Sequence, residues 1–142
     1  MKVLDVMSTD LVIAQAGEPL NEAVHRMLER DVGCIIVIDD SVVEGIITKG
    51  DVLKKAFLLG LEAQEISSKK VMSKPVIGID PDSTLEEASR MMTKNNVSKL
   101  AVLKGKKLVG VVTSSDIIRA EPMQVGYLQE LVKARFVPHD MG

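Results

Sequence analysis

Gly45-Ile46-Ile47-Thr48-Lys49-Gly50-Asp51 returns 65 residues later as Gly110-Val111-Val112-Thr113-Ser114-Ser115-Asp116. Each copy reads as an apolar, β-branched strand that ends at a threonine. An aspartate follows three positions later, and then an apolar pair, Val52-Leu53 or Ile117-Ile118. That is a strand running into a helix. On its own, Thr-x-x-Asp at such a junction is a capping box: the hydroxyl accepts from a first-turn N–H, and the carboxylate reaches back toward the threonine's own N–H.

Sliding outward at the same offset pairs Val6-Met7-Ser8 with Val71-Met72-Ser73, Leu20 with Leu85, Glu22-Ala23 with Glu87-Ala88, and Met27 with Met92. Val32 then meets Val97, Val37 meets Val102, and Gly45, Thr48 and Asp51 meet Gly110, Thr113 and Asp116, with no gap. Most of the remaining pairs are apolar on apolar. Duplication of one structural unit explains this pattern.

With 142 residues the chain is of one-domain size, and each repeat is too small to bury much surface separately, so the halves should share a core. The hydrophobic fraction of 46%, the charged fraction of 27% and the net charge of −2 are those of an ordinary globular protein. No apolar run approaches the length of a membrane span, and the N-terminus lacks a basic-then-apolar leader, which places the protein in the cytoplasm. The single cysteine, Cys34, lies in the apolar run Cys34-Ile35-Ile36-Val37-Ile38 and reads as a small buried hydrophobe.

In chain order, Met1 to Met7 is a lead-in with one helical turn, and Leu11 to Ala14 is a short extended piece. Leu20, Ala23, Val24, Met27 and Leu28 form one apolar stripe at helical spacing, with Pro19 at the first helical position. Glu22, His25, Arg26 and Glu29 fall on the solvated face. The second copy repeats the stripe at Leu85, Ala88 and Met92 behind a capping box, Ser83-Thr84-Leu85-Glu86. Cys34 to Ile38, a turn at Asp39-Asp40-Ser41, and Val42 to Thr48 form a hairpin. Leu100 to Leu103, Lys104-Gly105-Lys106 and Lys107 to Thr113 repeat it. A second helix follows from about Gly50 to Leu59, closed by Gly60, and from Ser115 onward. The joint, Leu61 to Lys70, contains Ser67 or Ser68 as the cap of a short turn. The expected division is therefore a first unit over 1–60, a linker over 61–70, a second unit over 71–120 and a helical tail over 121–142. Tyr127, Leu128, Leu131, Val132 and Phe136 give that tail an apolar side, which packs either on its own chain or on another subunit.

Two tandem β-α-β-β-α units, each opening with Val-Met-Ser and closing with Gly-apolar-apolar-Thr-x-x-Asp, resemble a pair of cystathionine-β-synthase (CBS) domains, a Bateman module, over residues 3 to 120. The resemblance implies an α/β (α+β) fold, with the two units packed pseudo-symmetrically through their sheets. It also implies pairing of modules into dimers through their helices. Further, it implies clefts between the units that bind AMP, ADP, ATP or S-adenosylmethionine as a regulatory ligand, with no cofactor in the catalytic sense. Thr48 with Asp51, and Thr113 with Asp116, would then meet ribose and phosphate, since a carboxylate can accept both ribose hydroxyls while a threonine hydroxyl and helix N–H groups suit phosphate. Adenine would lie against Val12-Ile13-Ala14 and Val76-Ile77-Gly78, bonded mainly to backbone.

The copies differ at the positions that reach phosphate in the family. Immediately before the second strand the second copy has Ser98-Lys99 where the first has Gly33-Cys34, and in the loop it has Ser114-Ser115 where the first has Lys49-Gly50. The second site is therefore expected to dominate, with Lys99 as its phosphate cation. Lys49 is either a phosphate contact or a solvated lysine. Many family members place a proline in the second strand; here Ile36 and Ala101 stand at that position.

An enzyme needs a nucleophile, an acid–base pair or a metal cluster. His25 and His139 are far apart in sequence, Cys34 reads as buried, and no Cys or His spacing matches a metal-ligand set. A nucleic-acid binder needs a basic face with stacking aromatics, but the chain has two Phe, one Tyr and no Trp. Neither role is expected. The alternative to a nucleotide sensor is a structural or interaction module that has lost its ligand and keeps Thr-x-x-Asp as helix caps. A homodimer is expected, and any regulated effector is expected to be a partner protein.

Overall fold

The structure, a computed structural model, describes residues 1–58, 60, 62 and 64–121. In chain order the elements are α1 (Val3–Val6), β1 (Val12–Gln15), α2 (Leu20–Glu29), β2 (Cys34–Asp39), β3 (Val42–Thr48), α3 (Lys49–Asp51), β4 (Gly78–Ile79), α4 (Leu85–Asn95), β5 (Lys99–Lys104), β6 (Lys107–Thr113) and α5 (Ser114–Ala120). From α3 the chain continues directly into a π-helical stretch, Val52–Phe57, and a 3-10 turn spans Ser68–Lys70. The expected tail helix lies outside the described residues.

Two compact units result, and their boundaries do not follow those of the repeat. One is Asp10–Val76; the other joins Met1–Thr9 to the chain from Ile77 on. Each lead-in therefore packs with the sheet of the other repeat. Ser73 pairs through its backbone with Ile46 on β3, with N–H···O distances of 2.8 and 3.0 Å, and Ser8 pairs with Val111 on β6 at 2.9 and 3.0 Å. The two pairs sit at identical places in the repeat.

This exchange explains the motif glycines. A Cβ built on Gly45 would stand 2.5 Å from Met72 Sδ, and one on Gly110 would stand 2.7 Å from Met7 Sδ and 2.9 Å from the Ser8 carbonyl oxygen. The lead-in methionine lies directly over a glycine in both units, so the Val-Met-Ser and Gly-apolar-apolar-Thr signatures pack against each other.

Each sheet has three strands in the order β1-β2-β3 or β4-β5-β6, parallel in the first pair and antiparallel in the second. The register repeats residue for residue: Ile13 faces Ile36 as Gly78 faces Ala101, and Cys34 faces Thr48 as Lys99 faces Thr113. Both hairpins also shift register at the same place, Val37/Ile38 and Val102/Leu103. Asp40 and Ser41 turn the first hairpin with positive φ, and Gly105 enters the second at φ 63°.

The helical stripe packs on one face of each sheet. Leu20, Ala23 and Met27 meet Val12, Ile35, Val37 and Ile47 in one unit. Leu85, Ala88 and Met92 meet Leu100, Val102, Val112 and Ile117 in the other. Each fully buried large side chain contributes about 1.5–3 kcal/mol. Chain length predicts one shared core; Ile36, Ala101 and Val111 are buried outside the helix-packed clusters, and the other buried apolar side chains among the described residues form two such clusters, one per unit. The exchanged segments complete them, with Val71 and Met72 in the first and Val3 in the second.

Several local expectations change. Pro19 is the N-cap rather than the first helical residue, with ψ 135°. Thr84 caps α4 by accepting from the Glu87 N–H at 3.1 Å, so no box forms on Ser83 and Glu86. Leu28 leaves the stripe and is 63% exposed, because a stripe fitted to a small three-stranded sheet buries only its central positions. Cys34 is half-buried rather than buried, since it begins β2 at the sheet's end. The second helix starts at Lys49 and becomes π-helical from Val52, and Gly60 carries the expected positive φ of 69°. Ser67 is the N-cap of the 3-10 turn without a side-chain cap, while the buried Ser68 donates its hydroxyl to the Glu18 carbonyl at 3.0 Å.

Candidate functional site

Both Thr-x-x-Asp motifs form the reciprocal capping box that their spacing calls for. Thr48 Oγ1 accepts from the Asp51 N–H at 3.2 Å, and Asp51 Oδ2 accepts from the Thr48 N–H at 2.9 Å. Thr113 Oγ1 accepts from the Asp116 N–H at 3.1 Å, and Asp116 Oδ2 accepts from the Thr113 N–H at 2.9 Å. The extended backbone of each threonine turns the β-strand into the helix, so the carboxylate is held by the fold itself.

Beyond the cap the two carboxylates diverge. Asp51 also accepts from the Thr48 hydroxyl at 3.1 Å and, on Oδ1, from the Ser73 hydroxyl at 2.8 Å, with Lys55 Nζ 3.4 Å away. That ammonium spends its three N–H groups on the Val71 carbonyl at 3.2 Å, the Met72 carbonyl at 3.4 Å and the Ser73 hydroxyl at 3.1 Å. Burial pushes the Asp51 pKa up. The Thr48 N–H, the Ser73 hydroxyl, the Lys55 charge and the Thr48 hydroxyl together outweigh burial and hold it below the ordinary carboxylate value. Asp116 Oδ1, by contrast, meets Arg119 Nη2 at 2.7 Å, and that arginine side chain is 74% exposed.

The loop hydroxyls of the second copy are accessible, with Ser114 half-buried and Ser115 exposed. The Ser114 N–H donates to the Ser98 carbonyl at 2.9 Å, so of the first-turn N–H groups that one and Asp116's are already used. Lys99 is the first residue of β5 rather than the residue before it. It stands directly opposite Thr113, and such pairs project to the same side of the sheet. Cys34 holds the corresponding place opposite Thr48, and Lys49 is exposed.

Of the first-strand residues, Val12, Ile13 and Ala14 all lie in β1, with Ile13 40% exposed between two buried neighbours. In the second copy only Gly78 lies within β4. Val76 ends the other compact unit, and Ile77 accepts the Ala101 N–H through its carbonyl at 3.0 Å. The register equates Gly78 with Ile13, so the triplet Val76-Ile77-Gly78 starts one residue earlier than its counterpart.

Three residues at the motifs escaped the sequence reading. Ser73 was visible only as part of the repeated Val-Met-Ser, and Lys55 only as a cation four positions after Asp51. Arg26 is expected on the solvated face. Its Nη2 instead donates at 2.7 Å both to the Ile13 carbonyl and to Glu18 Oε2, because the end of α2 lies beside β1. Glu22, His25 and Glu29 are exposed as expected. Among the described residues, no group of three or more His, Cys, Asp or Glu could hold a metal ion, and no helix is long and apolar enough to cross a membrane.

Two α/β units of the same register, each with a capped Thr-x-x-Asp at the end of its hairpin, define a tandem α/β repeat module. The chain belongs to the CBS-domain family: the CBS domain matches it twice, over residues 3–57 and 68–122. CBS pairs are in general regulatory, ligand-sensing modules. An uncharacterized protein of Methanopyrus kandleri is 28% identical over 135 residues, covering 94% of this chain and 69% of that protein. A homoserine O-acetyltransferase of Methanohalobium evestigatum is 32% identical over 119 residues, which cover 82% of this chain but 23% of that enzyme. The crystal structure of a conserved protein from Pyrococcus horikoshii superposes with a TM-score of 0.75 at 28% identity, covering 84% of this chain and 90% of that one.

Proposed function

We propose that this CBS pair is a non-catalytic sensor that binds an adenosine-containing nucleotide, AMP, ADP, ATP or S-adenosylmethionine, and passes that state to a partner protein. The observation that carries the reading is the Asp116 carboxylate. One oxygen is fixed by the Thr113 N–H, while the other meets only an exposed arginine among the described residues. A carboxylate so oriented has acceptor capacity left for the two ribose hydroxyls. Lys99, opposite Thr113, supplies a cation for phosphate, with the Thr113, Ser114 and Ser115 hydroxyls and Ser98 beside it. Gly78 supplies backbone without a side chain for adenine. The corresponding set in the first repeat is Thr48, Lys49, Asp51 and Val12-Ile13-Ala14.

The resemblance to 23% of an acetyltransferase fits a module that serves an effector rather than performing chemistry. Thermal melting with each of the four ligands at millimolar concentration tests the proposal. A ligand at a hundred times its Kd should add about 2.7 kcal/mol by mass action. If none of the four shifts the melt, the ligand-free interaction module becomes the better reading.

A further inference from the structure

We propose that the repeat carrying Thr48 and Asp51 is closed to nucleotide by its own side chains. The chain then binds one nucleotide, at the repeat carrying Thr113 and Asp116, and Arg26 and Lys55 set that selectivity. The inference rests on the adenosine-nucleotide reading and adds its stoichiometry and the residues that determine it.

Two separate features of the first repeat lead there. A carboxylate offers about four acceptor positions. At Asp51 three donors hold the carboxylate, the Thr48 N–H, the Thr48 hydroxyl and the Ser73 hydroxyl, and the Lys55 ammonium lies 3.4 Å from Oδ1 as an ion pair. At Asp116 the described residues supply two, the Thr113 N–H and Arg119. Ribose hydroxyls arriving at Asp51 would have to displace a half-buried serine hydroxyl and an ammonium contact and would regain only hydroxyl–carboxylate bonds of the kind Ser73 already makes. Lys55 is also tied to the Val71 and Met72 carbonyls, so swinging aside would cost it both contacts.

The second feature is the outer edge of the first strand. In a parallel pair alternate residues bond the neighbouring strand. Ile77 does so through its carbonyl, which turns the polar groups of Gly78 outward on an edge strand. At the equivalent Ile13 the carbonyl already accepts from Arg26 at 2.7 Å, and the nearby Leu11 carbonyl accepts from Arg30 at 3.1 Å. Glu18 and Asp10 hold those two guanidiniums in place, at 2.7 and 2.6 Å. An adenine amino group bonded to the strand backbone, as proposed above, would meet a guanidinium already on that carbonyl. In the second repeat the positions of Arg26, Arg30 and Lys55 are taken by Met91, Asn95 and Ala120. Asn95 donates to the Met91 carbonyl inside its own helix rather than to the strand.

The repeat thus supplies its own test variant, Arg26→Met/Lys55→Ala, which installs at each position the side chain its counterpart already carries. Calorimetric titration of AMP into the full chain should give one site per chain. Asp116→Asn, which can still cap, should weaken that site about tenfold or more. The double variant should bind two AMP per chain. Two sites of comparable affinity in the wild type, or one site in a double variant that melts cooperatively, would overturn the proposal. Should the double variant fail to fold, 15N-resolved titration of the wild type decides. AMP should shift the amides of Gly78 and Thr113 to Asp116 and leave those of Ile13 and Thr48 to Asp51 in place, and shifts at both sets would overturn the inference. A wild type that binds none of the four nucleotides removes the nucleotide reading itself, a result distinct from binding two.

Discussion

Ser73 donates its hydroxyl to Asp51 across 2.8 Å, although 22 residues separate them, while Ser8, its counterpart in the repeat, is exposed. The same serine of the same triplet thus locks one lead-in to a motif aspartate and leaves the other lead-in held by its backbone pairing to Val111. Ser73→Ala should therefore destabilise the protein by about 1.5–3 kcal/mol, the range for a hydrogen bond to a charged group, and Ser8→Ala by less than about 0.5 kcal/mol. Urea denaturation of both variants measures the difference, and equal losses would refute the lock.

The lock also makes stability pH-dependent. Because the folded-state pKa of Asp51 is lowered, its contribution is complete above the unfolded value, about 3.9, and is lost as pH falls through the folded value. Asp51→Asn should thus cost stability at pH 7, and the gap to wild type should narrow below about pH 4. Denaturation midpoints of the two proteins measured from pH 7 downward check the sign. A gap that widens in acid would contradict it.

Gly45 and Gly110 predict an asymmetry of another kind. A methyl on Gly45 meets only the Met72 side chain among its nearest contacts, whereas one on Gly110 meets the Ser8 backbone oxygen at 2.9 Å as well as Met7. A methionine can adopt another rotamer more readily than a paired backbone can move. Gly110→Ala should cost about 1–3 kcal/mol, the usual penalty of overpacking, and Gly45→Ala less. Chemical denaturation ranks the two, and the reverse order would show that the lead-in backbone yields more easily than the side chain.

Lys99→Met keeps the aliphatic stem but removes the charge opposite Thr113. AMP binding should weaken by about 1–3 kcal/mol with adenosine nearly unaffected, and added salt should weaken AMP binding more in the wild type than in the variant. Calorimetry with both ligands decides, and an unchanged ratio of AMP to adenosine affinity would exclude Lys99 as the phosphate ligand.

Leu53, Phe57 and Leu58, at 60, 76 and 73% exposure, leave an apolar surface on the π-helical stretch and the residue after it. That surface is motivation for a homodimer, since such patches mark contact faces. Light scattering should give twice the chain mass at micromolar concentration, and Phe57→Glu should halve it. The monomer mass for wild type would end the idea.

What the sequence determined by itself is whatever repeats or depends on neighbours along the chain. An offset of 65 residues between two capped strand–helix junctions was enough to predict both hairpins, the α2 and α4 stripes and the Thr-x-x-Asp caps, because strand alternation, helical period and capping are local. The glycines of the motif were legible only as punctuation. Their reason, a methionine from the opposite lead-in lying on each, depends on residues 27 and 103 positions away along the chain, Met72 from Gly45 and Met7 from Gly110. Tertiary structure decided which lead-in packs on which sheet. It likewise decided that Ser73 and Lys55 would meet at Asp51 and that Arg26 would reach the Ile13 carbonyl on the edge of β1. The repeat leaves these choices open because its two copies are nearly the same where they fold and differ where long side chains end. Only the packed chain brings those charged ends to the carbonyls and carboxylates that need them.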